Sequence, residues 1–417
     1  MSKYIFLSFN IHMLGGGQTY LNTKTEYLNN NGYEVFVFSK GLKFTDVPYK
    51  NLKKYNMCSF YDFNYPPMMV KKSRVSKILK KIKRIVKPTG SEIIIESCDD
   101  VTALWGEIIA KNLNCKHFCF SLNESFEGKN KFYMKNLDFF KYKFERNELA
   151  FISEKCINLL FGNSYDYVNG LDYVLRAHAN AVEDIDNRIV DKIKKYEINI
   201  AYIGRYNKSY VGKVLEDLIV FCKNNNKEIG LIFVGDAIEQ KKYIKKLFNK
   251  LNNVNVFFTG TLIPIPKKIF SKFDVIIAGA GCAVLSYRYT RYVIVPDSNN
   301  YLCNGVLGFD TMNTLFLEDV SKQKNYYNVL EDVLIKKNYE NKERHGNCLY
   351  KEEDLEKIYN AHFEFVNHNS DYEYYDVEKY SKMKKSLKLY FTCVILDYLY
   401  ILNPILFRLK KLLRRNK

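Results

Sequence analysis

Glycine and arginine stand directly after hydrophobic runs in this 417-residue sequence, where such residue types can hold a ligand. A run of glycines lets backbone N–H groups approach a bound group closely. An arginine at a strand end can donate two parallel hydrogen bonds to an anion. Because tight turns also need glycine, a glycine run alone is a weak signal. The candidate residues are Gly15, Gly16, Gly17, Arg205, Gly279 and Gly281.

Metal and nucleophile chemistry finds little support in the sequence. The ten cysteines contain no Cys-x-x-Cys pair, so a structural zinc site is not expected. Asp184 and Asp186 form an Asp-x-Asp pair that lacks a preceding strand, and Asp99 and Asp100 are explained as the start of a capped helix. The sequence has no Gly-x-Ser-x-Gly, His-Glu-x-x-His or Walker motif. We therefore expect no metal and no cofactor.

Strands and helices alternate around these candidates, which is typical of doubly wound parallel sheets. We predict an α/β fold with two Rossmann-like domains that face a cleft, followed by a basic amphipathic tail. Ligands bind at the carboxyl ends of strands in such sheets. The predicted strands are 4–9, 33–39, 91–97, 117–122, 149–153, 198–204, 230–236, 254–260, 274–279 and 292–297. The predicted boundaries are 1–181 for the first domain, 182–197 for a linker, 198–366 for the second domain and 371–417 for the connector and tail.

The net charge of +18 comes from two basic segments. Residues 71–87 carry nine basic side chains and no acid, and residues 382–417 carry ten against the single acid Asp397. The remainder of the chain is neutral in sum. The 71–87 segment contains no aromatic side chain, which argues against a nucleic-acid groove. We expect no nucleic-acid partner.

The first basic segment has its apolar residues at steps of three and four, the spacing of one helix face. A basic amphipathic helix is typical of elements that contact anionic lipids. We therefore predict membrane contact, with a helix whose apolar stripe packs on its own domain as the alternative. The predicted lipid contacts in this segment are Lys77, Lys80, Lys81 and Arg84.

The second basic segment encloses 389–407, which is long enough to span a bilayer. Asp397 and Pro404 argue against a clean span, because a carboxylate at mid-membrane is costly. We predict a helix that lies flat in the interface, with spanning and packing against the protein as alternatives. The predicted lipid contacts in the tail are Lys410, Lys411, Arg414 and Arg415.

Several segments together resemble the glycosyltransferases of GT-B fold, in the family 4-like retaining group that includes many bacterial capsule and lipopolysaccharide enzymes. Each segment is weak alone, and their order and spacing carry the likeness, which covers residues 1–366. The segments are GGGQ at 15–18, LAFISEKC at 149–156, AHANAVED at 177–184, YIGRYNKSYVGKVLEDL at 202–218, FVGD at 233–236 and VFFTGTL at 256–262.

The resemblance implies that the second domain binds a nucleoside diphosphate sugar and the first holds the acceptor. Fixed cations then stabilise the diphosphate charge as the glycosidic bond breaks. Arg205 would supply one cation and Lys208 or Lys213 a second, and the spacing does not decide between the lysines. The backbone at the two glycine runs would line the same cleft.

The sequence departs from the family at two glutamates that stand eight positions apart, one of which binds the donor ribose. Ala278 and Ser286 fall nearest to them. Either Ser286 and the backbone contact the ribose instead, or activity has been lost.

Two polar residues of the first domain are candidates near the acceptor: Glu124 stands where relatives often carry histidine or aspartate, with a glutamate at a helix amino terminus as the alternative, and His12 is a candidate by its position in the chain. Glu124 follows the strand at 117–122, where it can orient an acceptor hydroxyl or act as its base. His12 lies close to the first glycine run. His117 is expected to be a core or edge residue of its strand.

These observations predict a nucleotide-sugar-dependent hexosyltransferase, retaining and independent of metal, that acts on a lipid-linked surface glycan. No small-residue cleavage site follows the first strand, so a signal peptide is not expected. The predicted location is the cytoplasm, on the inner face of the plasma membrane. The alternative is a catalytically degenerate protein of the same fold that acts as a scaffold or glycan-binding subunit. An epimerase or phosphorylase of this fold is a weaker alternative.

Overall fold

The computed structural model divides into two compact units, which we call unit 1 (1–178 and 354–417) and unit 2 (179–353). Each unit contains one six-stranded sheet. The structure describes residues 1–8, 11, 15–40, 49, 52, 56–88, 90–122, 136–162, 172–177, 182–235, 238–298, 300–315, 324–345, 355–368 and 371–377.

Unit 1 is a parallel sheet with strand order β3-β2-β1-β4-β5-β6. The order reverses between β1 and β4, which makes their carboxyl ends a topological switch point. The strands are β1 (Lys3–Ser8), β2 (Glu34–Lys40), β3 (Asn56–Phe60), β4 (Ile93–Ser97), β5 (Lys116–Ser121) and β6 (Leu149–Phe151). The helices are α1 (Gly16–Asn30), α2 (Lys72–Val86), α3 (Asp100–Leu113), α4 (Leu137–Glu145), α5 (Glu154–Phe161) and α11 (Leu355–Asn367).

Both faces of this sheet are covered by apolar side chains, which is why its strands are continuous hydrophobic runs. Phe6, Phe118 and Phe120 belong to the core on one face. Ile5 and Trp105 belong to the core on the other.

Unit 2 repeats the plan with strand order β10-β9-β8-β12-β13-β14, parallel except for the last strand. Its switch point lies between β8 and β12. The strands are β7 (Val182–Glu183), β8 (Ile198–Ile203), β9 (Ile229–Val234), β10 (Val254–Gly260), β11 (Ile265–Pro266), β12 (Val275–Ala278), β13 (Val293–Pro296) and β14 (Cys303–Val306). The helices are α6 (Arg188–Asp191), α7 (Val211–Lys223), α8 (Ile238–Phe248), α9 (Gly281–Tyr289) and α10 (Tyr326–Leu334).

The predicted α/β fold with two Rossmann-like domains is confirmed by these two sheets. The boundaries differ in two places. Residues 182–197 are not a free linker, because β7 pairs with β11 and Val190 and Ile193 are buried in the core of unit 2. Helix α11 packs in unit 1 and not in the second domain, because Tyr359 and Phe365 enter the core of unit 1.

A buried ionic cluster joins α11 to the sheet of unit 1. The Lys24 ammonium lies 2.6 Å from the Glu96 carboxylate and 3.1 Å from Nδ1 of His362, and both ionic side chains are fully buried. Tyr4 and Tyr20 each donate a hydroxyl hydrogen bond of 2.6 Å to Glu96. Burial and the nearby ammonium lower the pKa of His362 well below its usual value, so the ring is neutral and accepts from Lys24.

The first basic segment forms the predicted helix, α2, but its apolar stripe is not available to lipid. Val75, Ile78, Ile82 and Val86 are buried in the core of unit 1. The alternative, a stripe that packs on its own domain, therefore holds for this face. The predicted lipid contacts Lys77, Lys80, Lys81 and Arg84 are all exposed on the opposite face.

The basic tail lies outside the described residues, including Lys410, Lys411, Arg414, Arg415 and the segment 389–407. Its orientation and its lipid contacts stay predictions. Among the helices that are described, none is both long and apolar enough to cross a bilayer.

Candidate functional site

The carboxyl edge of unit 2 is a row of glycines. Strands β8, β9 and β12 are each followed at once by a glycine, and β10 ends at one. These four strands are neighbours in the sheet, in the order β10-β9-β8-β12. None of these four strand ends therefore carries a side chain of its own, although the side chains of Tyr202 and Tyr206 lie close to Gly204 and Gly235. We call this row the glycine edge, and its members are Gly260, Gly235, Gly204 and Gly279.

Packing between adjacent turns requires glycine at the centre of the row. A Cβ at Gly235 would lie 2.0 Å from the Gly204 carbonyl oxygen, and Gly235 has a φ of 145°. The Gly235 N–H donates to the Gly260 carbonyl at 3.0 Å, which ties the next turn to it. The Tyr206 hydroxyl donates to the Gly235 carbonyl at 2.7 Å from beneath. The edge is thus a fixed backbone surface that a ligand can approach closely.

Arg205 stands beside this edge, directly after Gly204. Its side chain is half-buried, and its guanidinium forms no hydrogen bond or ion pair with the described residues. The Tyr202 hydroxyl donates to the Arg205 carbonyl at 3.0 Å and so fixes its backbone. A half-buried cation without a counter-charge is suited to an anionic ligand.

The two predicted lysines differ in their surroundings. Lys213 on α7 is ion-paired with Asp217 at 2.9 Å, and the same carboxylate accepts the backbone N–H of Tyr326 at 2.8 Å. Lys208 is exposed in the turn that links Arg205 to α7. The charge of Lys213 is therefore engaged within unit 2, whereas the Lys208 side chain is exposed.

Helix α9 begins at the glycine edge. Gly279 follows β12, and Gly281 is the first residue of α9, which has neither a side-chain cap nor an acid in its first turn. Ser286 lies on the same helix with 0% exposure, and its hydroxyl has no hydrogen-bond partner among the described residues. A ligand can reach that hydroxyl only after a local rearrangement, so its ribose contact stays a prediction. Ala278 is likewise buried.

The carboxyl edge of unit 1 holds the first glycine run. Gly15 caps α1 through its backbone, while Gly16 and Gly17 form its first turn. Like α9, this helix has no side-chain cap and no acid in the first turn. The Tyr49 hydroxyl donates to the Gly15 carbonyl at 3.2 Å. The N–H groups of the first turn are thus not masked by a capping side chain.

Serine hydroxyls line this edge, a feature that the sequence analysis missed. Four adjacent strands end in or contain serine at their carboxyl ends, and the hydroxyls of Ser8 and Ser121 are buried without a partner among the described residues. The signal was present in the sequence, because each serine closes a hydrophobic run. The four serines are Ser39, Ser8, Ser97 and Ser121.

Two carboxylates follow β4 at the same edge. Asp99 caps α3 and is ion-paired with Lys40 at 2.7 Å. Burial and the neighbouring Asp99 raise the pKa of Asp100 to about 6. Both carboxylates serve the start of α3, because Asp99 is the cap and Asp100, in the first turn, accepts the Val101 N–H at 2.9 Å.

A hydrogen-bonded series of three side chains has the serine, histidine and carboxylate order of a catalytic triad. Its members are Ser97, His117 and Glu107. The imidazole lies 2.8 Å from the serine hydroxyl and 2.7 Å from the carboxylate. All three are buried, and Glu107 also accepts the Lys143 ammonium at 2.9 Å. Burial lowers the pKa of His117 to about 4. Because all three side chains are buried, we interpret this series as a structural network, and His117 is the core residue that its position predicts.

The remaining predictions fall on other parts of the chain. Glu124 and His12 lie outside the described residues, so their roles stay predictions. Asp186 pairs with Lys268 at 2.8 Å. Within the described part of the chain, no group of three or more His, Cys, Asp and Glu side chains is placed to hold a metal.

Comparisons with known proteins show the fold of the chain. No family model and no curated protein matches it. A variant of S. aureus TarM, in complex with fondaparinux, α-GlcNAc-glycerol and UDP, has a TM-score of 0.53 and 11% identity, over 88% of this chain and 100% of that one. The lipopolysaccharide outer core galactosyltransferase WaaB has a TM-score of 0.45 and 14% identity, over 95% and 99% of the two chains. Anabaena HepE in complex with UDP-glucose has a TM-score of 0.46 and 14% identity, over 67% and 74%. The fold is the GT-B fold.

Proposed function

We propose that the chain is a glycosyltransferase that moves a hexosyl group from a nucleoside diphosphate sugar to a glycan acceptor. The observation that carries this proposal is the glycine edge of unit 2 with the Arg205 guanidinium beside it. The TarM structure, which has a similar fold, contains UDP. Retention of the anomeric configuration and independence from metal are part of the proposal, and they rest on the resemblance in sequence.

The chemistry of transfer needs positive charge where the departing diphosphate develops its negative charge. Arg205 offers a planar guanidinium whose forked geometry matches two phosphate oxygens. Helix α9 offers uncapped first-turn N–H groups at Gly281 and the partial positive charge of its amino terminus. Lys208 or Lys213 would supply the second cation; the Lys208 side chain is exposed, and Lys213 would have to turn from Asp217 to the ligand.

The acceptor is proposed to bind at the carboxyl edge of unit 1, where hydroxyl groups and a carboxylate are available. Ser8 and Ser121 have hydroxyls with no partner among the described residues, and they would contact a polyhydroxylated molecule only after a local rearrangement, because both are buried. Asp100, whose pKa of about 6 is close to neutrality, suits an exchange of protons with an acceptor hydroxyl. Glu124 and His12 remain candidates for the same role.

Membrane attachment is proposed for a lipid-linked acceptor, on the inner face of the plasma membrane. Helix α2 would contribute through charge alone, since its apolar stripe is buried. Each exposed basic side chain near an anionic surface adds about 1 kcal/mol, which salt screens within about 10 Å at 0.1 M. Binding to phosphatidylglycerol vesicles should therefore fall steeply as salt is raised. Binding that is indifferent to salt would argue against this mode.

The second candidate is a scaffold of the same fold that has lost activity. The observation in its favour is the absence of carboxylates at Ala278 and Ser286, both of which are buried. The unpaired Arg205 argues against it, because a half-buried cation without a ligand costs free energy.

Thermal stabilisation by nucleotides tests the donor site. A ligand at 100 times its dissociation constant should raise the free energy of unfolding by about 2.7 kcal/mol. We expect this with one nucleoside diphosphate for the native chain, and no shift for Arg205→Ala. Lys227→Ala is the matched control, because it removes one cation at the opposite, amino edge of the same sheet, just before β9.

The outcomes separate the two candidates. A shift that Arg205→Ala abolishes and Lys227→Ala keeps supports a working donor site. If no nucleoside diphosphate shifts the native chain, the donor site is refuted and the scaffold is favoured.

A further inference from the structure

Helix α8 of unit 2 has a basic face, although the part of the chain outside the two basic segments is neutral in sum. Helix α8 and the turn after it, residues 238–253, contain five lysines and one acid, Glu239. Ile244 and Phe248 are buried on the inner side of the helix, with 0% and 1% exposure. Four of the lysines are exposed on the outer side or in the turn that follows. These four, which we call the α8 lysines, are Lys242, Lys245, Lys246 and Lys250.

The α8 lysines lack the carboxylate partners that other lysines of unit 2 possess. Lys268 and Lys336 each form ion pairs with nearby aspartates. Among the described residues, no carboxylate pairs with an α8 lysine, and Lys245 lies instead 5.9 Å from the ring centre of Phe258. A set of exposed cations without counter-charges raises the local potential and favours an anionic partner.

An exposed aromatic ring stands within this basic face. Tyr243 is 57% exposed, although a tyrosine usually buries its ring. Lys242 and Lys246 stand about one turn apart on α8, roughly 6 Å along its axis, and Lys250 lies in the turn that follows the helix. Nucleic-acid sites usually need a groove or several stacking rings. Exposed lysines beside one tyrosine instead match the headgroup region of a bilayer, where tyrosine and lysine are both favoured.

We propose that α8 is a second membrane-contact element, which rests on an anionic lipid surface with the Tyr243 ring among the headgroups. It deepens the proposed membrane association and assigns part of it to unit 2. The proposal rests on the charge and exposure of α8 and is independent of sugar transfer.

A tryptophan reporter tests this contact in the full chain. Trp105 is the single native tryptophan and is buried at 0% exposure in unit 1, so it gives a constant background. In Tyr243→Trp, we expect brominated acyl chains to quench the new emission in vesicles that contain phosphatidylglycerol, but not in pure phosphatidylcholine. Ile335→Trp is the matched control, since Ile335 is 38% exposed beside two lysines that are ion-paired. We expect no quenching there.

Charge removal gives the second readout. Lys242→Gln, Lys246→Gln and Lys250→Gln together should weaken vesicle binding at least tenfold, since each lysine near the surface contributes roughly a fivefold factor. Lys336→Gln with Lys337→Gln should leave binding unchanged. Circular dichroism confirms that each variant is folded.

Each outcome decides the proposal. Quenching at position 243 together with the tenfold loss supports it. If the protein sediments with anionic vesicles but position 243 is not quenched, α2 or the tail makes the contact and the proposal is overturned. If no vesicle binds, the proposed membrane association fails as well, while the nucleotide test of the donor site is unaffected. A shift of the 243 emission by an oligonucleotide and not by vesicles would assign the face to nucleic acid and also overturn it.

Discussion

Replacement of Lys24 by methionine is the sharpest test of what holds unit 1 together. The Lys24 ammonium is fully buried, 2.6 Å from Glu96, and several aromatic rings lie within 6.0 Å of it. Burial lowers the pKa of Lys24 and Glu96 opposes that effect. Methionine fits the aromatic surroundings but removes the positive charge.

The expected loss follows from what remains around Glu96. Breaking a buried ion pair by removal of one partner costs about 3–5 kcal/mol, because the other charge is left uncompensated. Tyr4 and Tyr20 still donate 2.6 Å hydrogen bonds to Glu96, which offsets part of that cost. We therefore expect Lys24→Met to lower the free energy of unfolding of unit 1 by about 3 kcal/mol.

Urea unfolding followed by tryptophan emission isolates the relevant unit. Trp105 is the only tryptophan in the chain, and its indole N–H donates to the Tyr65 carbonyl at 2.7 Å inside unit 1. The shift in midpoint, at constant slope, converts to the change in free energy. Unit 2 has no tryptophan and does not contribute to the signal.

A double variant completes the test. Lys24→Met with Glu96→Gln removes both charges of this cluster, so we expect it to lose only about 1–2 kcal/mol and to show coupling between the two sites. The reasoning is refuted if Lys24→Met alone costs less than about 1 kcal/mol. In that case the tyrosine hydroxyls, and not the ammonium, stabilise the Glu96 carboxylate.

Three further predictions concern the edges and α11. Gly235→Ala should destabilise unit 2 by more than about 2 kcal/mol, because its Cβ would lie 2.0 Å from a carbonyl oxygen, whereas Gly212→Ala on α7 should be neutral or stabilising; chemical denaturation compares them. The raised pKa of Asp100 means that the folded state holds more protons between about pH 3.8 and 6, so stability falls as pH rises through that window. Asp100→Asn should remove this pH dependence. Across the window it amounts to a change on the order of 1–2 kcal/mol in the free energy of unfolding, after a discount for the partial exposure of the carboxyl group. The lowered pKa of His362 has the opposite sign: the unfolded chain binds the proton first, so stability falls as pH drops below about 6.5, and His362→Gln should lessen that fall.

Contrary results would be informative for each. Equal stability of the two alanine variants would mean that the Gly235 turn can open without cost. A slope that survives Asp100→Asn would assign the titration to another carboxylate. If the stability of His362→Gln falls with falling pH as steeply as that of the native chain, the packing of α11 on unit 1 does not depend on the neutral imidazole.

The strands could be predicted because both faces of each sheet are covered, so that a buried strand is a continuous hydrophobic run in the sequence. The run at 254–260 was predicted to the residue, and the run at 4–9 came within one residue at each end of β1. Strand β3 was missed because Asn56–Phe60 lies at the edge of the sheet and is not a continuous apolar run. Periodicity detects burial and has little to detect at an edge.

The site was predictable in its backbone and less so in its side chains. Gly279 and Arg205 were named as candidates because they follow hydrophobic runs directly, whereas Gly204, Gly235 and Gly260 were not named as site residues. The Lys213–Asp217 pair was missed although its spacing of four residues is the spacing of a helical ion pair. The Lys24–Glu96 pair was missed because 72 residues separate its members.

The return of α11 to unit 1 has a consequence for synthesis on the ribosome. Tyr359 and His362 complete the core of unit 1, yet they are translated only after the whole of unit 2. At about 5–20 residues per second, the nascent first unit waits roughly 10–40 s for its last helix. During that interval Lys24 lacks its histidine neighbour, and the apolar surface that α11 will cover is exposed. Unit 2, whose chain is continuous, can finish folding first, so we expect a protease pulse on stalled chains to spare unit 2 and cleave unit 1.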